Sequence, residues 1–213
     1  MCICGRCAVG VLDPKCAGLL EPPAFPLKRR RRQPLEFRLR GPDNHRMDEP
    51  VSREPSSIAD WRVKDLIALI GSDHVAPGAG SAGAVALGLA AACASKAVSI
   101  SLKHHPGEIG LQGALECFRE IGRRALSGAD QDAEAFANFI RARNAAAARR
   151  LVCTGETLAH LISAFGAIID DVEPKIQASV AGDVAAARAL AGAARSIQAA
   201  NEAEAEQEEK RRS

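Results

Sequence analysis

Aromatic residues are scarce in this chain: tyrosine is absent, tryptophan occurs once and phenylalanine six times. β-Branched and aromatic side chains favour strands, whereas alanine is the strongest helix former. Apolar residues make up 47% of the 213 residues, and alanine dominates them. No alternating apolar–polar run marks a strand, so the composition points to helices packed closely through small side chains. Other absences exclude chemistry. The lysine of a G-x-x-x-x-G-K-[ST] loop is missing, which removes a P-loop nucleotide site. Paired C-x-x-C knuckles separated by a long loop are missing too, which removes a zinc ribbon. No continuous apolar stretch follows the early charges, so a secretory signal is not expected.

Proline is scarce over most of the chain. Eight of the eleven precede residue 56; only Pro77, Pro106 and Pro174 follow it. Charge divides nearby. Residues 1–46 hold ten Lys and Arg against four Asp and Glu, a net +6. Residues 47–213 hold eighteen against twenty-two, a net −4, and the two parts give the overall +2. Residues 1–55 show no helical or alternating period and are read as a disordered head. Cys2, Cys4, Cys7 and Cys16 could ligate a soft metal, and the run from Lys28 to Arg32 could meet phosphates. One reading explains cysteines, arginines and prolines together: the head is an over-extended gene start and translation begins at Met47. The domain is then expected over residues 56–209. Cys93, Cys117 and Cys153 sit singly in apolar surroundings and read as reduced core residues of a cytoplasmic protein.

From Ser57 the helical signals become orderly. Ser57 and Asp60 are spaced like a capping box ahead of Trp61, Leu66, Ile67, Leu69 and Ile70, and Gly71 closes that helix. Residues 74–81 form a loop by their proline and glycine content. Ser81 is expected to cap a long helix reaching about residue 103. Gly83, Gly88, Ala90, Ala91, Ala94 and Ala97 make that helix apolar on nearly every side. Lys96, several serines and the weak hydrophobicity of alanine argue against a membrane span and for a buried central helix. His104, His105, Pro106 and Gly107 end it, the two histidines serving as dipole partners or, in the alternative reading, adding a general acid. A further helix follows from Glu108, with a break expected near Ser127 and Gly128. Helices are expected over 144–171 and 175–209, the last with Ala186, Leu190, Ala193, Ala194 and Ile197 on one face. The fold class is all-α, an antiparallel helical bundle around a long Ala/Gly-rich central helix.

Two places can carry chemistry. The run Pro77, Gly78, Ala79, Gly80, Ser81 opens the central helix; glycines let a ligand approach the backbone, and helix-start N–H groups attract anions. The same run also reads as a packing turn. The second place holds Asp130, Asp132 and Glu134. Residues 130 and 134 share a face, whereas Asp132 points elsewhere, beside Phe136 and Phe139. A carboxylate on that apolar side is paired, protonated or functional; the bland alternative is a solvated helix start.

These segments, in this order, resemble the formimidoyltetrahydrofolate cyclodeaminases and methenyltetrahydrofolate cyclohydrolases. Residues 65–70 and 77–81 are similar to the family's opening, typically P-G-G-G-S before a small-residue helix. Asp132, Ala135 and Phe136 resemble its D-x-x-A-F helix, and Gly182, Asp183 and Asn201 its C-terminal pattern. The resemblance spans about residues 60–205. It implies an all-α homodimer with a tetrahydrofolate derivative as substrate. Asp132 is the implied catalytic carboxylate; Pro77, Gly78, Gly80, Ser81 and Asp183 are the implied substrate contacts. No metal, nucleotide, nucleic acid or membrane partner is expected. The chain departs from the pattern at Ala79, in a shorter segment after Phe136, and at residues 150–155, where a proline is usual. A catalytically inactive helical dimer that keeps the fold is therefore the alternative.

The change of composition near Met47 predicts that the head packs on nothing. Deleting residues 1–46 is expected to leave the melting temperature unchanged. A fall of several degrees, or zinc or iron co-purifying in proportion to the head, contradicts this.

Overall fold

The computed structural model describes residues 57–212; the readings made for residues 1–55, including the four early cysteines and the arginine run, lie outside them. Among the described residues there are helices and 3-10 turns and no strand. A 3-10 turn at Ile58–Asp60 precedes α1 (Val63–Ile70), α2 (Ala79–His104), α3 (Ile109–Ala142), α4 (Ala145–Val172) and α5 (Ala181–Arg212); two further 3-10 turns join α4 to α5.

The four long helices pair antiparallel, and their register can be read from side chains. Along α2 and α3, Ser81 meets Ala129, and Gly88 meets Leu126. Along α2 and α5, Gly83 meets Ile197, whereas Lys96 meets Asp183. Phe118 of α3 and Phe165 of α4, both fully buried, stack tilted with centroids 5.3 Å apart, a favoured aromatic geometry. Arg188 of α5 reaches back to Asp170 of α4 at 2.7 Å and to Glu173. Such exposed pairs set register more than they add stability.

α2 is the core helix. Eleven of its residues are buried, among them Gly83, Ala84, Leu87, Ala90, Ala91, Ala94, Ala97 and Val98. Small side chains on this scale let neighbouring helices approach closely, so van der Waals contact replaces the bulk of larger residues. Gly83 shows the tolerance: a Cβ there would stand 3.2 Å from Ile197 Cγ2. These contacts lie within one chain, between α2 and α5, and need no second copy. The segments Ala79–His104 and Ala145–Lys175 are long and apolar enough to cross a membrane by length and composition. Here both are bundle helices packed on their neighbours.

Several expectations are corrected. α3 runs unbroken through Ser127 and Gly128. A glycine inside a helix costs only about 1 kcal/mol, and burial of Ala125 and Ala129 on either side outweighs it. Ser57 does cap, accepting from Ala59 N–H at 3.1 Å, but the cap serves the separate 3-10 turn; α1 starts only at Val63. On α5 the buried face is Val184, Ala187, Ala191, Ala194 and Gln198, and Ala193 is exposed. Cys93 and Cys117 are half-buried and Cys153 is exposed, all three free, so Cys153 is not a core residue. The shortened segment after Phe136 resolves into a two-residue connection. Arg143 closes α3 in the left-handed conformation at φ 44°, and Asn144 Oδ1 accepts from Ala147 N–H at 2.9 Å to start α4.

Ala94 has no exposed surface. Replacing it with Leu is expected to overpack the α2 core and cost about 1–3 kcal/mol of unfolding free energy. Chemical denaturation measures this, and a neutral or stabilising result contradicts the placement of that face.

Candidate functional site

The start of α2 is held by α3. Gly78, not Ser81, is the N-cap residue, and having no side chain it cannot satisfy the free N–H groups of the first turn. Ser81 therefore lies one turn inside the helix. Asp132 supplies the missing cap from α3. Its Oδ2 accepts from Ser81 Oγ at 2.9 Å, and the Ser81 backbone N–H also favours its ionised form. The Ser81 hydroxyl lies 3.0 Å from the Ala129 carbonyl oxygen as well. A carboxylate at a helix N-terminus gains both hydrogen bonds and the favourable end of the dipole.

Gly80 makes this approach possible. A Cβ on it would stand 2.3 Å from Asp132 Oδ1 and 2.6 Å from both Cγ and Oδ2, distances that no methyl group could occupy. The position requires glycine because a carboxylate lies directly against the backbone. Ala79, in contrast, is exposed.

Burial raises the Asp132 pKa above its ordinary 3.8, against the lowering effect of the Ser81 hydroxyl and N–H. Charge does not set this shift. Asp130, two residues earlier, accepts from Ser57 Oγ and Ile58 N–H, both at 2.7 Å. Glu134 faces outward toward Arg150 at 3.9 Å, as expected from its place on the helix. Residues 79–95 of α2 carry no charge.

The sequence singled out Asp130 only as a neighbour on α3. The structure shows it as a latch that pins the first described turn, with Ile58 buried in the core. The signal was present in the Ser57 cap, but a partner 73 residues away is invisible to local spacing. Of the other expected contacts, Pro77 is buried and Gly78 is half-buried with open space beside it. Ser81 has no exposed surface. Asp183 is elsewhere, paired with Lys96 at 2.8 Å. Lys96 lies fifteen residues beyond Ser81, roughly 22 Å along the α2 axis at 1.5 Å per residue. His104 and His105 are at that far end, exposed.

Two shallow hollows lie away from the Asp132 contact. One, of about 370 Å³, is lined by residues including His105, Glu108, Lys175 and Gln177. The other, of about 300 Å³, lies between α3 and α4 and is lined by residues including Gln131, Glu134, Arg150 and Cys153.

The family model described as formiminotransferase-cyclodeaminase matches residues 62–203, more than half of the chain. The chain belongs to this family. Among solved structures, the formiminotetrahydrofolate cyclodeaminase of Thermotoga maritima has a similar fold, with a TM-score of 0.67. The likeness covers 71% of this chain and 81% of that one at 17% identity, which speaks for the fold alone. No curated protein matches. The segments that carry the resemblance, around residues 77–81, 132–136 and 182–201, all fall inside the family match.

In this member of the formiminotransferase-cyclodeaminase family, Gly80→Ala is expected to expel the Asp132 carboxylate from its seat. Leaving that seat relieves the burial that dominates its shift, so the Asp132 midpoint is expected to fall back toward 3.8. A ¹³C titration of the Asp132 carboxyl carbon measures it; an unchanged midpoint contradicts the contact. A carboxyl group with a raised folded-state pKa contributes stability below its unfolded value, and this is lost as pH rises through the folded value.

Proposed function

We propose that the chain is a folate-dependent one-carbon enzyme of the cyclodeaminase or methenyltetrahydrofolate cyclohydrolase type, with Asp132 as its proton-transferring carboxylate. The observation that carries this reading is the half-buried Asp132, held against the first turn of α2 with its pKa raised by burial. Family membership supplies the substrate class.

The chemistry suits a carboxyl group in that setting. To close a 5-formimidoyl group, N10 of the folate attacks the formimidoyl carbon and forms a tetrahedral carbon between two nitrogens. N10 loses a proton and the departing nitrogen gains one as ammonia leaves. Hydrolysis of the methenyl form passes through the same kind of carbon, with water as the nucleophile. A single carboxylate can accept the first proton, deliver the second, and stabilise the amidinium-like cation between them. Partial burial brings its affinity for protons closer to that of the groups it serves. Pro77, Gly78 and Gly80 shape the adjoining backbone, where first-turn N–H groups are available to the ligand. Ser81 supports the carboxylate from behind.

A homodimer in the cytoplasm completes the reading. Leu89 is 54% exposed midway along α2, and Val63 and Ile67 of α1 are 72% and 65% exposed, leaving apolar residues for a second copy to cover. Leu89 and Lys96 are two turns apart on one face. An antiparallel pairing of two α2 helices about Leu89 would carry the Asp183–Lys96 pair of one copy toward the α2 start of the other. That arrangement gives Asp183 its place as a substrate contact. Cys93, Cys117 and Cys153, all free, accord with a reducing compartment. The reading needs no metal, nucleotide, nucleic acid or membrane.

Asp132→Asn keeps the shape of the side chain and removes the proton acceptor. Turnover of methenyltetrahydrofolate, followed by its absorbance, is expected to fall by about 10²–10⁴-fold with the melting temperature little changed. Glu134→Gln, on a side chain 72% exposed, is the control and is expected to be nearly silent. Full activity in Asp132→Asn contradicts the assignment and turns attention to Asp183. No turnover by the unaltered protein, with equal destabilisation in Asp132→Asn, points to the inactive dimer.

A further inference from the structure

A serine hydroxyl has one proton to donate, yet Ser81 Oγ stands within hydrogen-bond distance of two acceptors. These are Asp132 Oδ2 at 2.9 Å and the Ala129 carbonyl oxygen at 3.0 Å. Ser81 is fully buried, so no solvent shares the choice. While Asp132 is ionised, a charge-assisted bond to the carboxylate is roughly twice as strong as one to a neutral carbonyl, and the hydroxyl faces Asp132. Ala129 loses little, because its carbonyl also lies within the unbroken α3 helix.

From this we infer that Ser81 is a proton-coupled positioning residue: its hydroxyl turns from Asp132 to the Ala129 carbonyl whenever Asp132 becomes neutral. The balance is simple. Asp132 gains one proton, Ser81 keeps its own, and only the direction of the O–H bond changes. The lone pair freed on Ser81 Oγ then accepts from the new carboxylic O–H. In both states each buried polar group has a partner, so Asp132 need not leave its seat to change from base to acid. Neutral and charged forms would otherwise demand different surroundings, because a buried polar group left unpaired is destabilising.

Among the described residues no other charged group intrudes on this exchange. On α3, Asp130 is held by Ser57 and Ile58, and Glu134 is turned toward Arg150 of α4. On α5, Glu202 accepts from the buried Gln198 at 3.0 Å. The first charge on α2 after its start is Lys96, paired with Asp183. Asp73 and His74, in the loop before α2, are exposed. Burial favours the neutral form of Asp132 and Ser81 favours the ionised one, burial being the larger effect.

The inference rests on the reading of Asp132 as the reacting group for its use in catalysis, but the turn itself can be observed without substrate. Full-length protein labelled with ¹³C is titrated between about pH 3 and pH 8, following the Asp132 carboxyl carbon and the Ala129 carbonyl carbon together. The two are expected to titrate with one midpoint, as the Ala129 carbonyl gains a second hydrogen bond when Asp132 takes up its proton. In Ser81→Ala the Asp132 midpoint is expected to move further up, because a donor to the ionised form is gone, and the Ala129 carbon to stop following it. An Ala129 resonance that stays flat in the unaltered protein overturns the inference, whatever the folding of the variant. An unmoved Asp132 midpoint in folded Ser81→Ala overturns it as well. Failure of turnover alone, with the two carbons still titrating together, counts against the enzyme reading and leaves the hydroxyl turn standing.

Discussion

The structure turns on one close approach: a carboxylate of α3 pressed against the first turn of α2. Helix α2 begins at a glycine that cannot cap it, and Asp132 supplies the acceptor that its own sequence lacks. The approach is possible only because residue 80 has no side chain. Much else follows from holding those two helices in that register. The small residues of α2 let α3 and α5 close around it, and the Phe118–Phe165 contact joins α3 to α4. Asp130 fastens the preceding turn one step along the same helix. The side chain that caps α2 is thus the same one proposed to move the proton.

That economy has a physical consequence. A fully satisfied ionised cap would keep its pKa low, whereas a fully buried carboxyl group without donors would be permanently neutral. Asp132 stands between the two. Burial raises its pKa, and two donors from Ser81 restrain the rise. A carboxyl group that holds its proton more readily than an exposed one suits the proposed exchange with a folate nitrogen. This is the property that closure and opening of a one-carbon bridge between two nitrogens would demand.

How much of this was legible in the sequence differs from element to element. The central helix was, because an Ala/Gly stretch apolar on every side has few other uses. Asp132 was legible as an anomaly: a carboxylate at the spacing of Phe136 and Phe139 is paired, protonated or functional. Ser81, which holds it, lies one turn inside the helix it was expected to cap. Serine is a favoured N-cap, and nothing local reveals that Gly78 begins the helix while Ser81 is consumed by α3. The break at Ser127 and Gly128 was a misreading of local propensity that packing overrides. Cys153 looked like core because its neighbours in sequence are apolar, yet it lies on an open face of α4. The Asp130 latch and the Asp183–Lys96 pair depend on contacts across 72 and 87 residues, which periodicity does not encode.

The central claim is that the carboxylate seated on α2 is the one a folate meets. It can be tested by adding 5-formyltetrahydrofolate, a stable folate with a one-carbon unit on N5, to protein labelled with ¹³C at aspartate carboxyl carbons. The account predicts that the Asp132 resonance shifts and saturates with ligand, while Asp130, held by Ser57 and Ile58, stays in place. Saturable binding that leaves Asp132 unmoved, or no binding at any attainable concentration, would contradict it.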